Sequence, residues 1–243
     1  MISTLLIVLF GVFAASVLRG FTGFGFGLAA VPLLSLALPP AEVVPFVVVL
    51  QVAVGLGGLR AAWRHCDWRA VGGLVPGLVM GIPVGLAILT SLSPNVVRLA
   101  IGLVIAASVV LLARGASLPH RPSIALSGAV GLISGVISGL ASMGGPPIVV
   151  YLLALGHSAV IVRATSIVFF MLSGMMSMAS MSIAGLIDRE VLIWAGLSVP
   201  VLFAGSWLGT WGFHQAKPHH HRATALAVLS VLAVVLILRA LAT

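Results

Sequence analysis

Charge is what this sequence has least of: only 7% of its 243 residues are charged, and only four of those are acidic. An average soluble domain carries about 25% charged residues, so this chain cannot clothe a water-facing surface. One cysteine, Cys66, excludes an internal disulfide and any metal site built of cysteine alone. The first segment, Ile2 to Leu18, lacks the basic start of a cleavable signal peptide and is followed by further apolar segments, so it is expected to stay as a membrane segment. What is present is apolar: 61% of the residues are hydrophobic and the mean hydropathy is +1.28. The 28 glycines and 13 prolines would otherwise suggest loops or disorder, but at this hydropathy they belong to an integral membrane protein. A net charge of +8 often signals nucleic-acid binding. Here the cations are scattered singly and make no continuous basic face, so no nucleic-acid partner is expected.

A helix needs about 20 apolar residues to cross the hydrocarbon core. The stretches between charges give ten segments, near residues 2–18, 25–38, 41–60, 70–91, 95–113, 123–141, 146–156, 160–185, 190–213 and 222–241. The second and seventh are short and either span or form re-entrant hairpins with their predecessors. Placing alternate loops on one side gathers Arg60, Arg64, Arg69, Arg114, Arg121, Arg163, Lys217 and Arg222 there, against Arg98, Arg189 and Arg239 on the other. By the positive-inside rule the richer face is cytoplasmic, so both termini are expected outside. Glu42, Asp188 and Glu190 then also lie outside, with Asp67 inside.

The halves resemble each other. Gly20 to Gly27 answers to Gly139 to Pro146, Leu36-Ala37-Leu38 to Leu153-Ala154-Leu155, and Pro76 to Gly81 with Gly85 to Pro200 to Gly205 with Gly209. At an offset of roughly 120 residues and with an odd number of crossings per half, the copies must have opposite orientations, the plan of many transporters. The expected fold is therefore an all-α polytopic membrane protein of two inverted repeats, residues 1–116 and 117–243, together forming one membrane domain.

Each half contains a break. One runs Arg19-Gly20-Phe21-Thr22-Gly23-Phe24-Gly25-Phe26-Gly27, the other from Ser138 and Gly139 through Ser142, Gly144 and Gly145 to Pro146 and Pro147. Irregular backbone survives at membrane depth only where protein or a polar cavity covers it. Helices restarting near Gly25 and Pro146 would point free N–H groups and a positive dipole end into such a cavity, which favours an anion. Thr22, Ser138 and Ser142 add hydroxyls, and Arg19 adds charge-assisted hydrogen bonds unless it snorkels to an interface. Single glycines elsewhere are read as sites of close helix packing.

At these motifs the chain resembles the sulfite exporter TauE/SafE family of bacterial permeases. The likeness rests on Gly20-Phe-Thr-Gly-Phe-Gly-Phe-Gly27 followed by Pro32, on Ser138-Gly-Leu-Ala-Ser-Met-Gly-Gly-Pro-Pro-Ile148, and on the two-half organisation. It implies a multi-spanning inner-membrane protein that moves sulfite, sulfoacetate or related small oxyanions, commonly outward. Many members carry a Gly-Gly-Gly type of first break. Phe24 and Phe26 make this one bulkier, able either to flank an organic tail or to act as a gate.

All four carboxylates fall at segment ends, which leaves no obvious intramembrane proton carrier. The expected mechanism is facilitated anion efflux, with the two breaks, Gln51 and Ser173 lining a central site and the halves rocking around it. Arg163 either anchors a cytoplasmic loop or reaches inward to the substrate. His219 to His221 with His214 read as a basic loop, and Met171, Met175, Met176, Met178 and Met181 as flexible packing. No cofactor or metal is expected, and the anion and the lipid bilayer are the expected partners, with a homo-oligomer left open. A membrane-embedded enzyme lacks a catalytic set at membrane depth, whereas a non-transporting subunit of a larger complex would leave the paired breaks unexplained.

Overall fold

The computed structural model describes residues 2–22, 26–114, 123–215 and 218–242. Among these, regular secondary structure is entirely helical: α1 (Ile2–Thr22), α2 (Phe26–Ser35), α3 (Pro40–Trp63), α4 (Trp68–Ser91), α5 (Pro94–Arg114), α6 (Ile124–Ala141), α7 (Gly145–Ala154), α8 (Ala159–Ile183), α9 (Arg189–Gln215) and α10 (Pro218–Ala242). The ten apolar stretches thus become ten helices, their ends set by local chemistry. Proline stands in the first turn of α3 and of α7, where its missing N–H costs nothing. Asp67 caps α4 and Ser123 caps α6, each accepting a backbone hydrogen bond that the helix start cannot satisfy. Stretches of α3, α4, α6, α8 and α9 are each long and apolar enough to cross a membrane. Large apolar side chains such as Phe10, Val84, Leu103, Ile183 and Leu238 face outward, as lipid requires and water would penalise. The protein is a multi-pass membrane protein.

One boundary differs from the sequence reading. The first break was expected to open at Arg19, but α1 continues through Arg19 and Gly20 to Thr22. The reason is packing. A β-carbon at Gly20 would run into the backbone of Ser206 and approach Thr210 N at 2.9 Å, so α9 clamps this turn of α1 in helical form. The expected positions Gly23, Phe24 and Gly25 lie outside the described residues. The second break is narrow. Helix α6 ends at Ser142, which adopts a left-handed conformation with φ 55° and donates its N–H to Ser138 O at 2.8 Å, and α7 begins at Gly145.

Helices α2 and α7 have 10 residues each. At ~1.5 Å per residue each reaches about 15 Å, half the hydrocarbon core, so neither crosses alone. The far end of α2 is closed by Arg98, whose guanidinium donates to Ser35 O at 2.9 Å and Leu38 O at 3.3 Å. This satisfies carbonyls that a helix end otherwise leaves unpaired.

The closest packing joins early helices to late ones. Helix α4 lies along α6 and α1 along α9, while α3 meets α8 and α5 meets α10. Exchanging the first five helices with the last five turns the α4–α6 pairing into α9–α1 and returns α3–α8 and α5–α10 to themselves. Glycines make the first two seams. Added β-carbons at Gly77, Gly81 and Gly85 would collide with the backbone of α6, and those at Gly131, Gly135 and Gly139 with the backbone of α4. The spacing of four residues keeps these glycines on one face, where small residues let two backbones touch.

Asp67 fastens a second junction. One oxygen accepts the N–H groups of Arg69 and Ala70 at 2.9 and 3.0 Å, and the other lies 2.8 Å from His157 Nε2, in the turn before α8. Its own N–H donates to Thr165 Oγ1 on α8 at 2.9 Å. Partial burial pushes the carboxyl up, but the hydrogen bonds from Ala70, His157 and Arg69 outweigh this and hold it below the ordinary carboxylate value. A lowered folded-state value means stabilisation that is complete above the ordinary carboxylate range and lost only as pH falls through the lowered value. Asp67→Ala is expected to cost about 1–2 kcal/mol at neutral pH. In thermal melts in detergent, the gap from wild type should persist into mildly acidic buffer and close only in strong acid.

Candidate functional site

The second break, the start of α2 and the middles of α3 and α8 surround a cavity of about 50 Å³. Its polar lining is Arg19 from the last turn of α1, Gln51 from α3, Ser138 and Ser142 from the end of α6, and Ser173 from α8. Gly144 and Gly145 bring the start of α7 to the same space. Six helices and one break therefore converge on a point that the sequence reaches from five separate places.

The hydrogen bonds orient these groups. Ser173 Oγ donates to Ser138 Oγ at 2.8 Å, which leaves the Ser138 hydroxyl proton free to serve the cavity. Ser142 Oγ donates to Gln51 Oε1 at 3.1 Å, so the amide NH₂ of Gln51 is the end left to donate. No side chain caps the start of α7; Pro146 and Pro147 carry no N–H, and Gly145 brings the positive end of the helix to the cavity. Arg19 adds a cation, and among the described residues no carboxylate pairs with it. None of the four carboxylates lines this cavity. The polar wall is thus rich in donors and free of anionic groups, an environment for an anion.

The other wall is apolar, made by Phe26, Leu28, Val54, Met143, Ile167, Phe170 and Met171. Sequence reading passed over most of these because nothing separates them from ordinary core. A usable signal existed: Val54 and Gly55 stand three and four residues after Gln51, and Phe170 three before Ser173, the spacings that share a helix face.

The remaining sequence candidates have other surroundings. Gly20 and Gly139 belong to the helix seams, and a β-carbon at Gly27 would collide with the carbonyl of Ser142, so Gly27 lets α2 approach the second break. Pro146 is buried in the first turn of α7. The backbone of Thr22 ends α1, but its side chain lies outside the described residues, as do those of His214 and His219 to His221. Arg163 is exposed in the second turn of α8, within electrostatic reach of Arg19. A second, larger cavity of about 560 Å³ lies toward the other end of α2 and beside the start of α3, and includes Leu34, Glu42, Phe46, Asp188, Glu190 and Trp194 in its lining.

Comparison with known proteins agrees with this architecture. No solved structure matches the chain significantly. A curated relative, "Probable sulfite/organosulfonate exporter TauE" from Cupriavidus necator, is 28% identical over 215 residues, covering 86% of this chain and 84% of its own length. A family model described as Sulfite exporter TauE/SafE matches residues 7–236. That match takes in both breaks, both glycine seams and every residue of the donor-lined cavity, and the chain belongs to the TauE/SafE family of membrane transporters, which are not enzymes.

Proposed function

We propose that the protein exports small sulfur-containing or organic oxyanions, sulfite or a related anion, across the bacterial inner membrane. The observation that carries this reading is the cavity that gathers Arg19, the Gln51 amide, Ser138 and the uncapped start of α7 with no carboxylate among them. Such donors can replace the hydration shell of an oxyanion group by group, which is what a site at membrane depth must do. The relative's name supports the substrate class.

In this reading residues 1–116 and 117–243 are inverted repeats, and the exchangeable helix pairings support that symmetry. The cation-rich loops face the cytoplasm and both termini face the periplasm. Substrate reaches the site from either side in turn. An inside-negative potential contributes roughly 2.3 kcal/mol per negative charge per 100 mV toward export, so no second ion is required.

Reconstituted vesicles loaded with sulfite test this. Efflux is expected to accelerate when the lumen is made negative and to ignore an imposed pH gradient. Flux that follows the pH gradient and not the potential would overturn the uncoupled mechanism. No flux of any oxyanion, together with a partner co-purifying at fixed ratio, would overturn the transporter reading in favour of a subunit.

A further inference from the structure

The apolar wall limits what the cavity can hold. The cavity has about 50 Å³, and since one water needs about 10–15 Å³ it has room for roughly four water-sized groups. A bare sulfite group fills it. A carbon tail, which the donors cannot satisfy, is left to the apolar wall, and Ile167, Phe170 and Met171 are part of that wall. Two of these side chains are packed against neighbouring helices. A β-carbon at Gly145 would sit 3.1 Å from Phe170 Cζ, and one at Gly55 3.1 Å from Met171 Sδ. Each tip is therefore already seated against a glycine of the neighbouring helix.

Resting on the oxyanion reading of this site, we propose that Phe170 and Met171 form a size stop, admitting bare and one-carbon oxyanions and excluding sulfonates with longer tails. The two side chains act on different helices: Phe170 against the start of α7, Met171 against α3. Trimming either opens room beside the apolar wall without removing a donor.

The experiment is competition in reconstituted vesicles of the full chain, with labelled sulfite as the transported probe and methanesulfonate or propanesulfonate as competitors on the same side. In wild type, propanesulfonate is expected to need about tenfold more than methanesulfonate for half-inhibition. Phe170→Ala and, independently, Met171→Ala are expected to shrink that gap severalfold, whereas Met171→Leu, which keeps the bulk, should preserve it. The gap is a ratio within one preparation, so it does not depend on how much protein folds. Equal inhibition by both sulfonates in wild type, or an unchanged gap in the alanine variants that still carry sulfite, would overturn the size stop while leaving the oxyanion site standing. Absence of sulfite flux in wild type would instead overturn the site itself, and the stop with it.

Discussion

Arg19→Gln is expected to lower oxyanion flux by about 10- to 150-fold, because a charge-assisted hydrogen bond to a desolvated anion is worth about 1.5–3 kcal/mol. The substitution leaves a planar polar group, on a shorter side chain with two donors in place of five, and removes the one cation that lines the cavity among the described residues. Its position makes the effect specific. Arg19 occupies the last turn of a helix held against α9 by Gly20, so its backbone does not depend on the guanidinium. Arg19→Lys restores the charge as a point and not as a planar fork, and recovery of part of the flux is expected. Flux in vesicles, normalised to inserted protein, reads both variants. Wild-type flux in Arg19→Gln would remove the arginine from the site and return it to the snorkelling role.

The second large effect concerns folding. Gly81→Val is expected to prevent assembly, because even the first added carbon meets the carbonyl of Leu132 and approaches Val136 N at 2.7 Å. Backbone cannot turn aside as a side chain can, so α4 and α6 must separate, and the cost exceeds the 1–3 kcal/mol typical of overpacking. The control lies on the same helix: a β-carbon at Gly72 has nothing within 4 Å, and Gly72→Ala should behave as wild type. The monodisperse fraction in detergent and its melting temperature distinguish them. A stable, monodisperse Gly81→Val protein would show that the two helices are not in backbone contact.

Much of this was legible in the chain because lipid imposes a coarse grammar. Apolar stretches between charges become helices, and breaks must be covered. Arg19, Gln51, Ser138, Ser142, Gly144, Gly145 and Ser173 stood out because polar or flexible residues are rare at membrane depth, and all seven line one cavity. The start of the first break was misplaced because helix propensity at Gly20 is overridden by contact with α9, more than 180 residues away in the chain. The apolar wall was missed for the opposite reason: phenylalanine and methionine in a membrane helix look the same whether they face lipid, core or ligand. Glycines were ambiguous in a third way. Gly20 and Gly144 both sit in glycine-rich breaks, yet one serves a helix seam and the other lines the cavity.

The two glycine seams also set the order in which the protein can be made. Helix α1 finds its partner only when α9 has emerged, roughly 170 residues later, which at about 5–20 residues per second is a wait on the order of 10–30 s. Until then its small-residue face, and that of α4 while it awaits α6, must be occupied by lipid or by whatever attends insertion. The first five helices therefore cannot mature as a unit on the ribosome, and a chain cut between α5 and α6 should yield two fragments, each short-lived alone and rescued when both are synthesised in one cell.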